Sequence, residues 1–273
     1  ADEKVSASSF LSCGGGPAAN AAVTVARLGY KAAFCGSLGH DTYGELHSSE
    51  LAAEGVELRL LVRSAQPTPL SVILVKPDGS RSVVNYSGKT APLARGSIDF
   101  SSVHPKAVLF DGHEPDVSLE MAEACRKIKV PLILDAGSVH RGTTELLPLV
   151  DYAVCSEKFA RQFTGGSDIP DALHKIGSHC PCVIITRGAQ GLFWRHSNHQ
   201  GSVPAYSVDT VDTTGAGDVF HGAFALGVAL AMDWPSLLNF ASAAAALSCT
   251  KLGARPSIPV WSELDSFMEI TGD

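Results

Sequence analysis

Ala107-Val108-Leu109-Phe110, Pro131-Leu132-Ile133-Leu134, Tyr152-Ala153-Val154-Cys155 and Val183-Ile184-Ile185-Thr186 are the runs on which the fold turns. Each is short and mostly apolar, and together they are rich in β-branched and aromatic side chains. Helix-like segments separate them, such as 117–128 and 170–176. A strand buried on both faces reads as a continuous apolar run, and strands alternating with helices build a parallel sheet covered on both sides. The expectation is an α/β fold: a central, mostly parallel sheet flanked by helices.

The flanks of this region are different. Residues 217–232, 235–251 and 261–270 read as helices. Toward the start, Gly14-Gly15-Gly16-Pro17 is a turn, and 17–28 reads as a helix with Pro near its first position and Gly29 just past its end. Residues 32–35 read as a short buried strand, and 43–54 as a helix closed by Gly55. Two β-rich runs, 70–75 and 82–86, flank Pro77-Asp78-Gly79, a hairpin turn. This hairpin breaks the α/β pattern and is a candidate flap over a site. The chain, 1–273, reads as one α/β domain with a lid over roughly 56–86.

Hydrophobic residues make up 45% of the sequence and charged residues 18%, enough to bury a sizeable core. A net charge of -7 provides no global field for nucleic acid or an anionic membrane. A bound phosphate must therefore be held locally, by backbone N–H groups and a few cations. No apolar run reaches the ~18 residues of a membrane span, and residues 1–9 lack the pattern of a secretory leader. The seven cysteines are odd in number and scattered, which suits reduced thiols in a reducing, cytoplasmic compartment. Cys180-Pro181-Cys182 with His174 and His179 lacks the second matched pair of a zinc site. Gly88-Lys89-Thr90 looks like the end of a P-loop, but Val83 stands where that motif needs glycine. Gly14-x-Gly16-x-x-Ala19 lacks an acid at the end of the next strand, which argues against a dinucleotide site.

The strongest chemical signal is Asp212-Thr213-Thr214-Gly215-Ala216-Gly217-Asp218, followed by Val219-Phe220-His221-Gly222-Ala223. A loop of small residues runs straight into a helix. The N–H groups of Gly215, Ala216 and Gly217 have no partner within the helix and are expected to point outward. The helix dipole adds positive potential, and glycine lets an anion approach the backbone closely. Asp218, in the first turn, could be a simple helix cap. Beside a transferring phosphoryl group, the same carboxylate could accept the proton of the attacking hydroxyl.

Asp212–Asp218 resembles the C-terminal signature of the PfkB, or ribokinase-like, carbohydrate kinases. Gly15-Gly16-Pro17-Ala18-Ala19-Asn20, followed by Gly29, is similar to their N-terminal signature, about 200 residues earlier. The resemblance extends to Gly39-His40-Asp41, the hairpin and the tail 252–257. It implies an ATP-dependent kinase that uses Mg2+ and acts on a small sugar, with Asp218 as base and Gly215, Ala216 and Gly217 as anion hole. Gly15, Gly16, Asn20, Asp111 and His113 would line the sugar site, with Asn85 and Lys4 as polar candidates. Thr186, Gly188, Gly191 and Ser242 would face the nucleotide, and Ser156 lies in the stretch near magnesium and phosphate. Asp212, Thr214, Ser248, Gly253 and Ser257 match a loop for a monovalent cation, K+. Pairing of two lids would give a homodimer.

Three departures stand out. The resemblance implies a first strand carrying a sugar-binding Asp, and this strand is expected to be missing from the sequence. Ser156-Glu157-Lys158-Phe159 replaces the family's Asn-x-x-Glu, as in ketohexokinase-like members. His221 stands where many relatives have Asn, and the residues alone assign it no role. The motifs are most similar to the sulfofructose kinase and ketohexokinase-like branch, which implies a ketohexose phosphorylated at a terminal hydroxyl. A nucleoside kinase of the same superfamily, and a relative that kept the fold without the chemistry, remain as alternatives.

Overall fold

The computed structural model describes residues 6–76, 81–88 and 90–271. Lys4, the turn Pro77-Asp78-Gly79 and Lys89 lie outside the described residues.

The expected strands form one sheet. β5 (Val108–Phe110), β6 (Leu132–Ala136), β7 (Tyr152–Ser156) and β8 (Cys182–Thr186) pair in parallel in that order. Two further strands, β9 (Leu192–His196) and β10 (His199–Val203), extend it antiparallel. Side chains alternate across the sheet with period two. Ile133, Val154 and Ile184 join a core with α1 (Pro17–Arg27), α7 (Ala216–Ala229) and α8 (Trp234–Ser248). Leu132, Leu134, Val183 and Ile185 join a second core on the other face, with α3 (Pro115–Lys127), α4 (Arg141–Leu146), α5 (Glu157–Thr164) and α6 (Ile169–Gly177). Burying each such Leu or Ile stabilises the fold by about 1.5–3 kcal/mol relative to exposure.

The strand expected at 32–35 is a correction. Only Ala33 forms a bridge there, to Glu57, and the strand itself is β1 (Gly36–Gly39), parallel to β2 (Leu61–Ser64). Its sequence, with two glycines and a serine, carries no strand signal; partner hydrogen bonds override propensity. β2 falls within the span 56–86 expected for the lid, yet pairs with β1. The flap strands β3 (Leu70–Val75) and β4 (Arg81–Tyr86) pair antiparallel as a separate two-stranded sheet. Asp41 ties the approach to this flap to α2 (Thr42–Ala53): its carboxylate accepts from Gly44 N at 2.8 Å and from Thr68 N at 2.7 Å.

Among the described residues no strand precedes α1. Among the described residues β5 lies at one end of the six-stranded sheet, and β1 pairs with β2 alone. Both line one cleft of about 3290 Å3. This exceeds the ~300–1,000 Å3 of a typical small-molecule site because the cleft continues between the two strand edges. α9 (Trp261–Thr271) closes the chain against α8. Among the described residues no helix is long and apolar enough to cross a membrane.

α1 and α7 approach most closely at Gly222. A Cβ there would lie 2.6 Å from Ala21 O and 2.8 Å from the Thr24 Cβ. Gly222→Ala therefore sets two effects against each other. Alanine gains about 1 kcal/mol of helix propensity, while overpacking costs roughly 1–3 kcal/mol and parts the helices. We expect the variant to be less stable in chemical denaturation and slower in turnover; equal or greater stability would show slack between the helices.

Candidate active site

The site is built on the N-terminal turn of α7. Gly215 has φ +80°, and a Cβ there would lie 2.8 Å from that of Ala254, so both conformation and space favour glycine. A Cβ placed at Gly217 would meet nothing within 4 Å, so there is room for an anion against the backbone. One expectation needs adjusting: the Ala216 N–H leans toward Thr213 O at 3.3 Å rather than simply pointing outward.

Asp218 follows on the same turn. Asn20 Nδ2 donates to its Oδ2 at 2.6 Å, joining residues 198 positions apart. Asn20 is buried, and its Oδ1 has no partner among the described residues. Asp111, just after β5, accepts from Ala18 N at 3.3 Å and from His113 N at 2.9 Å, so it anchors the start of α1. The His113 ring stacks on His140 at 5.2 Å.

The glycine turn before α1 is held from outside. Glu50 Oε2 accepts from Gly14 N at 2.6 Å, and Arg255 donates to Gly15 O at 3.3 Å. Arg255 is fully buried, with Glu50 3.4 Å away. Burial pushes its guanidinium pKa down, and Glu50 opposes that. Asn85 projects from β4 on the flap and accepts from Ser71 Oγ at 2.8 Å.

Gly15, Gly16, Asn20, Asn85, Asp111, His113, Thr214, Gly215 and Asp218 all line the one cleft, whereas Ser156, Thr186, Gly188, Gly191 and Ser242 do not. Ser156 and Thr186 are register partners at the ends of β7 and β8. The Ser156 hydroxyl accepts from Phe159 N at 2.9 Å and donates to Gly137 O at 2.8 Å, so its bonds serve as the cap of α5. Gly191 has φ +78°, and a Cβ would lie 2.1 Å from Val203 O. This holds the turn between β8 and β9 close to the backbone after β10.

Asp212 organises the loop ahead of α7. Its Oδ1 accepts from Thr214 N at 2.9 Å and from Thr214 Oγ1 at 2.6 Å; its Oδ2 accepts from Gly253 N at 2.9 Å. Ser248 and Ser257 are buried, and their hydroxyls donate to Ala245 O and Ala254 O. The donor set is all oxygen, the type a hard monovalent or alkaline-earth cation prefers. Among the described residues no group of three or more His, Cys, Asp or Glu could hold a metal.

Sequence reading missed Asp135, His140, Glu50 and Arg255. Asp135 sits inside a strand that reads as pure core, and burial pushes its carboxyl up to about 6 against the pull of His221. Glu50 and Arg255 are 205 positions apart and meet only through the fold. A hint did exist for Asp135: a carboxylate in an otherwise apolar strand needs a partner.

A sequence profile described as pfkB family carbohydrate kinase matches residues 1–261. The chain is 30% identical to a ribokinase of Haemophilus influenzae over 269 residues, covering 93% of this chain and 87% of that protein. It is 30% identical to fructokinase-1 of Oryza sativa subsp. japonica over 298 residues, covering 96% and 90%. The structure of Arabidopsis thaliana ribokinase complexed with ribose and ATP is similar at a TM-score of 0.86 and 27% identity, covering 98% of this chain and 91% of that one. With both glycine-containing turns in one cleft, and Asn20 on Asp218, the chain belongs to the pfkB family of carbohydrate kinases, ATP-dependent phosphotransferases with the ribokinase-like α/β fold.

Proposed function

We propose that this protein transfers the γ-phosphate of ATP to a terminal hydroxyl of a ketohexose-type sugar. The observation that carries the reading is the Asn20–Asp218 hydrogen bond beside the open turn at Gly217. The substrate hydroxyl oxygen attacks the γ-phosphorus, the bond to the β–γ bridging oxygen breaks, and ADP leaves. Asp218 takes the hydroxyl proton. The N–H groups of Gly215, Ala216 and Gly217 stabilise charge on the equatorial oxygens. Asp111, Asn20 and the Gly15–Gly16 turn orient the sugar, and the unpartnered Asn20 Oδ1 suits a hydroxyl donor. His113 and the flap residue Asn85 complete the sugar side, while Thr186, Gly188, Gly191 and Ser242 serve the nucleotide. Magnesium enters with ATP and neutralises phosphate charge.

Other features support further parts of this reading. Val72, Leu74, Val84 and Tyr86 are exposed on the flap, which suits pairing of two flaps in a homodimer. Among ketohexoses, sulfofructose is one candidate. An imidazole at His113 cannot give the bidentate anion clamp of a guanidinium, so the proposal covers ketohexoses broadly.

Three experiments test it. Asp218→Asn keeps the shape and loses the base; turnover should fall ~10²–10⁴-fold with little change in ATP binding. Near-normal turnover would reduce Asp218 to a helix cap. The second is a coupled ADP-release assay over fructose, sulfofructose, ribose, 2-keto-3-deoxygluconate and adenosine. A ketohexose should give the highest kcat/KM, and a wide margin for adenosine would overturn the sugar assignment. The third concerns a monovalent cation held by oxygens of Asp212, Thr214, Ser248, Gly253 and Ser257, which would order the adjoining anion-binding turn. Activity should be higher in potassium than in a bulky organic cation, and equal rates would reject the cation site.

A further inference from the structure

His221 is buried one turn below Asp218, on the face of α7 that meets the sheet. Its Nδ1 lies 2.5 Å from Gly217 O, and its Nε2 lies 3.2 Å from Val154 O and 3.4 Å from Asp135 Oδ1. Backbone carbonyls only accept, so whichever ring nitrogen carries a proton has an oxygen within reach. Asp135 is buried beside the ring, within strand β6. One imidazole thus links three segments: β6 through Asp135, β7 through Val154 and the phosphate-binding turn through Gly217. We infer that His221 and Asp135 form a buried positioning clamp that aims the turn carrying Gly217 and Asp218 at the transferring phosphoryl group.

The mechanical argument rests on the planar trans peptide. The Gly217 carbonyl shares one trans peptide plane with the Asp218 N–H, so the ring nitrogen 2.5 Å from Gly217 O adds a side-chain restraint to the helical geometry that already orients that plane. Gly217 has no side chain to hold it, and nothing within 4 Å occupies the space above it. The helix sets the direction of this turn, and the His221 ring braces it against the sheet. The pair also keeps charge in order. Asp218 and Asp111 both act on the Asp135 carboxylate by repulsion, and His221 offsets them. Without the ring, the buried Asp135 carboxyl would lose the group that favours its ionised form.

This inference rests on Asp218 and the Gly215–Gly217 turn being the reaction centre, and its test separates the two. The variants are His221→Leu, Asp135→Asn, the double variant and, as reference, Asp218→Asn. For each, kcat and the KM values for ATP and for the best sugar are measured, with thermal unfolding to show that the protein assayed is folded. Misaiming a reacting group by about 1 Å costs ~10²-fold. Each single clamp variant should therefore lose roughly 10- to 100-fold in kcat, with both KM values nearly unchanged. Because the two residues act as a unit, the double variant should be no slower than the slower single one. Asp135→Asn leaves α7 untouched, so it covers the case in which His221→Leu does not fold. Folded variants with wild-type kcat and only a lowered melting temperature would overturn the clamp, as would losses that multiply independently. If Asp218→Asn also turns over normally, the reaction-centre assignment falls with it; if Asp218→Asn alone is dead, only the clamp falls.

Discussion

Two helices that carry the reacting ends of this chain meet where a methyl group does not fit. Gly222 on α7 rests against Ala21 O and Thr24 of α1, and one turn away Asn20 reaches Asp218. Every other feature of the site inherits its position from this contact. The open turn at Gly217 has a fixed direction because α7 is fixed. The glycine turn before α1 faces the same cleft because α1 is fixed. Small residues permit the approach, and buried side chains such as Val23, Phe220 and Phe224 hold it.

The chain manages anionic substrates without a positive field. Its net charge is -7, so long-range attraction is not what holds a phosphate. In the proposed function, oriented N–H groups at a helix start would do that work at short range, where the low local dielectric makes them effective. The same economy governs the buried charges. Arg255 lies against Glu50 and the Gly15 carbonyl, Asp212 takes three donors, and Asp135 faces His221. Burying a charge is costly unless it is paired. Arg255 and Asp212 lie against the two glycine-containing turns, and the Asp135–His221 pair reaches Gly217 O from behind the second.

Legibility in the sequence followed the strength of the local signal. Strands β5 to β8 were readable because both faces are buried, which makes each an unbroken apolar run. The flap was readable from two β-rich runs either side of a turn. β1 was misplaced because Gly36-Ser37-Leu38-Gly39 has no intrinsic strand preference and is extended only by its partner. β9 and β10 escaped notice because Trp194, Arg195 and His196 face partly to solvent and mix polar with apolar residues. At the site, the small-residue turn that opens α7 was legible because it is built from consecutive residues. The Ser156 cap of α5 is local in the same way, with the hydroxyl three residues from the N–H it accepts from.

The sequence by itself determined the α/β class, the flap and the small-residue turn that opens α7, because each depends on residues close together along the chain. The tertiary structure decided which groups stand behind that turn. Asn20 finds Asp218, Arg255 finds Gly15, and His221 finds Asp135 across separations of 198, 240 and 86 positions. No local pattern encodes such a pairing. It exists only because the packing of helices against the sheet brings buried polar atoms to the partners that offset the cost of burying them.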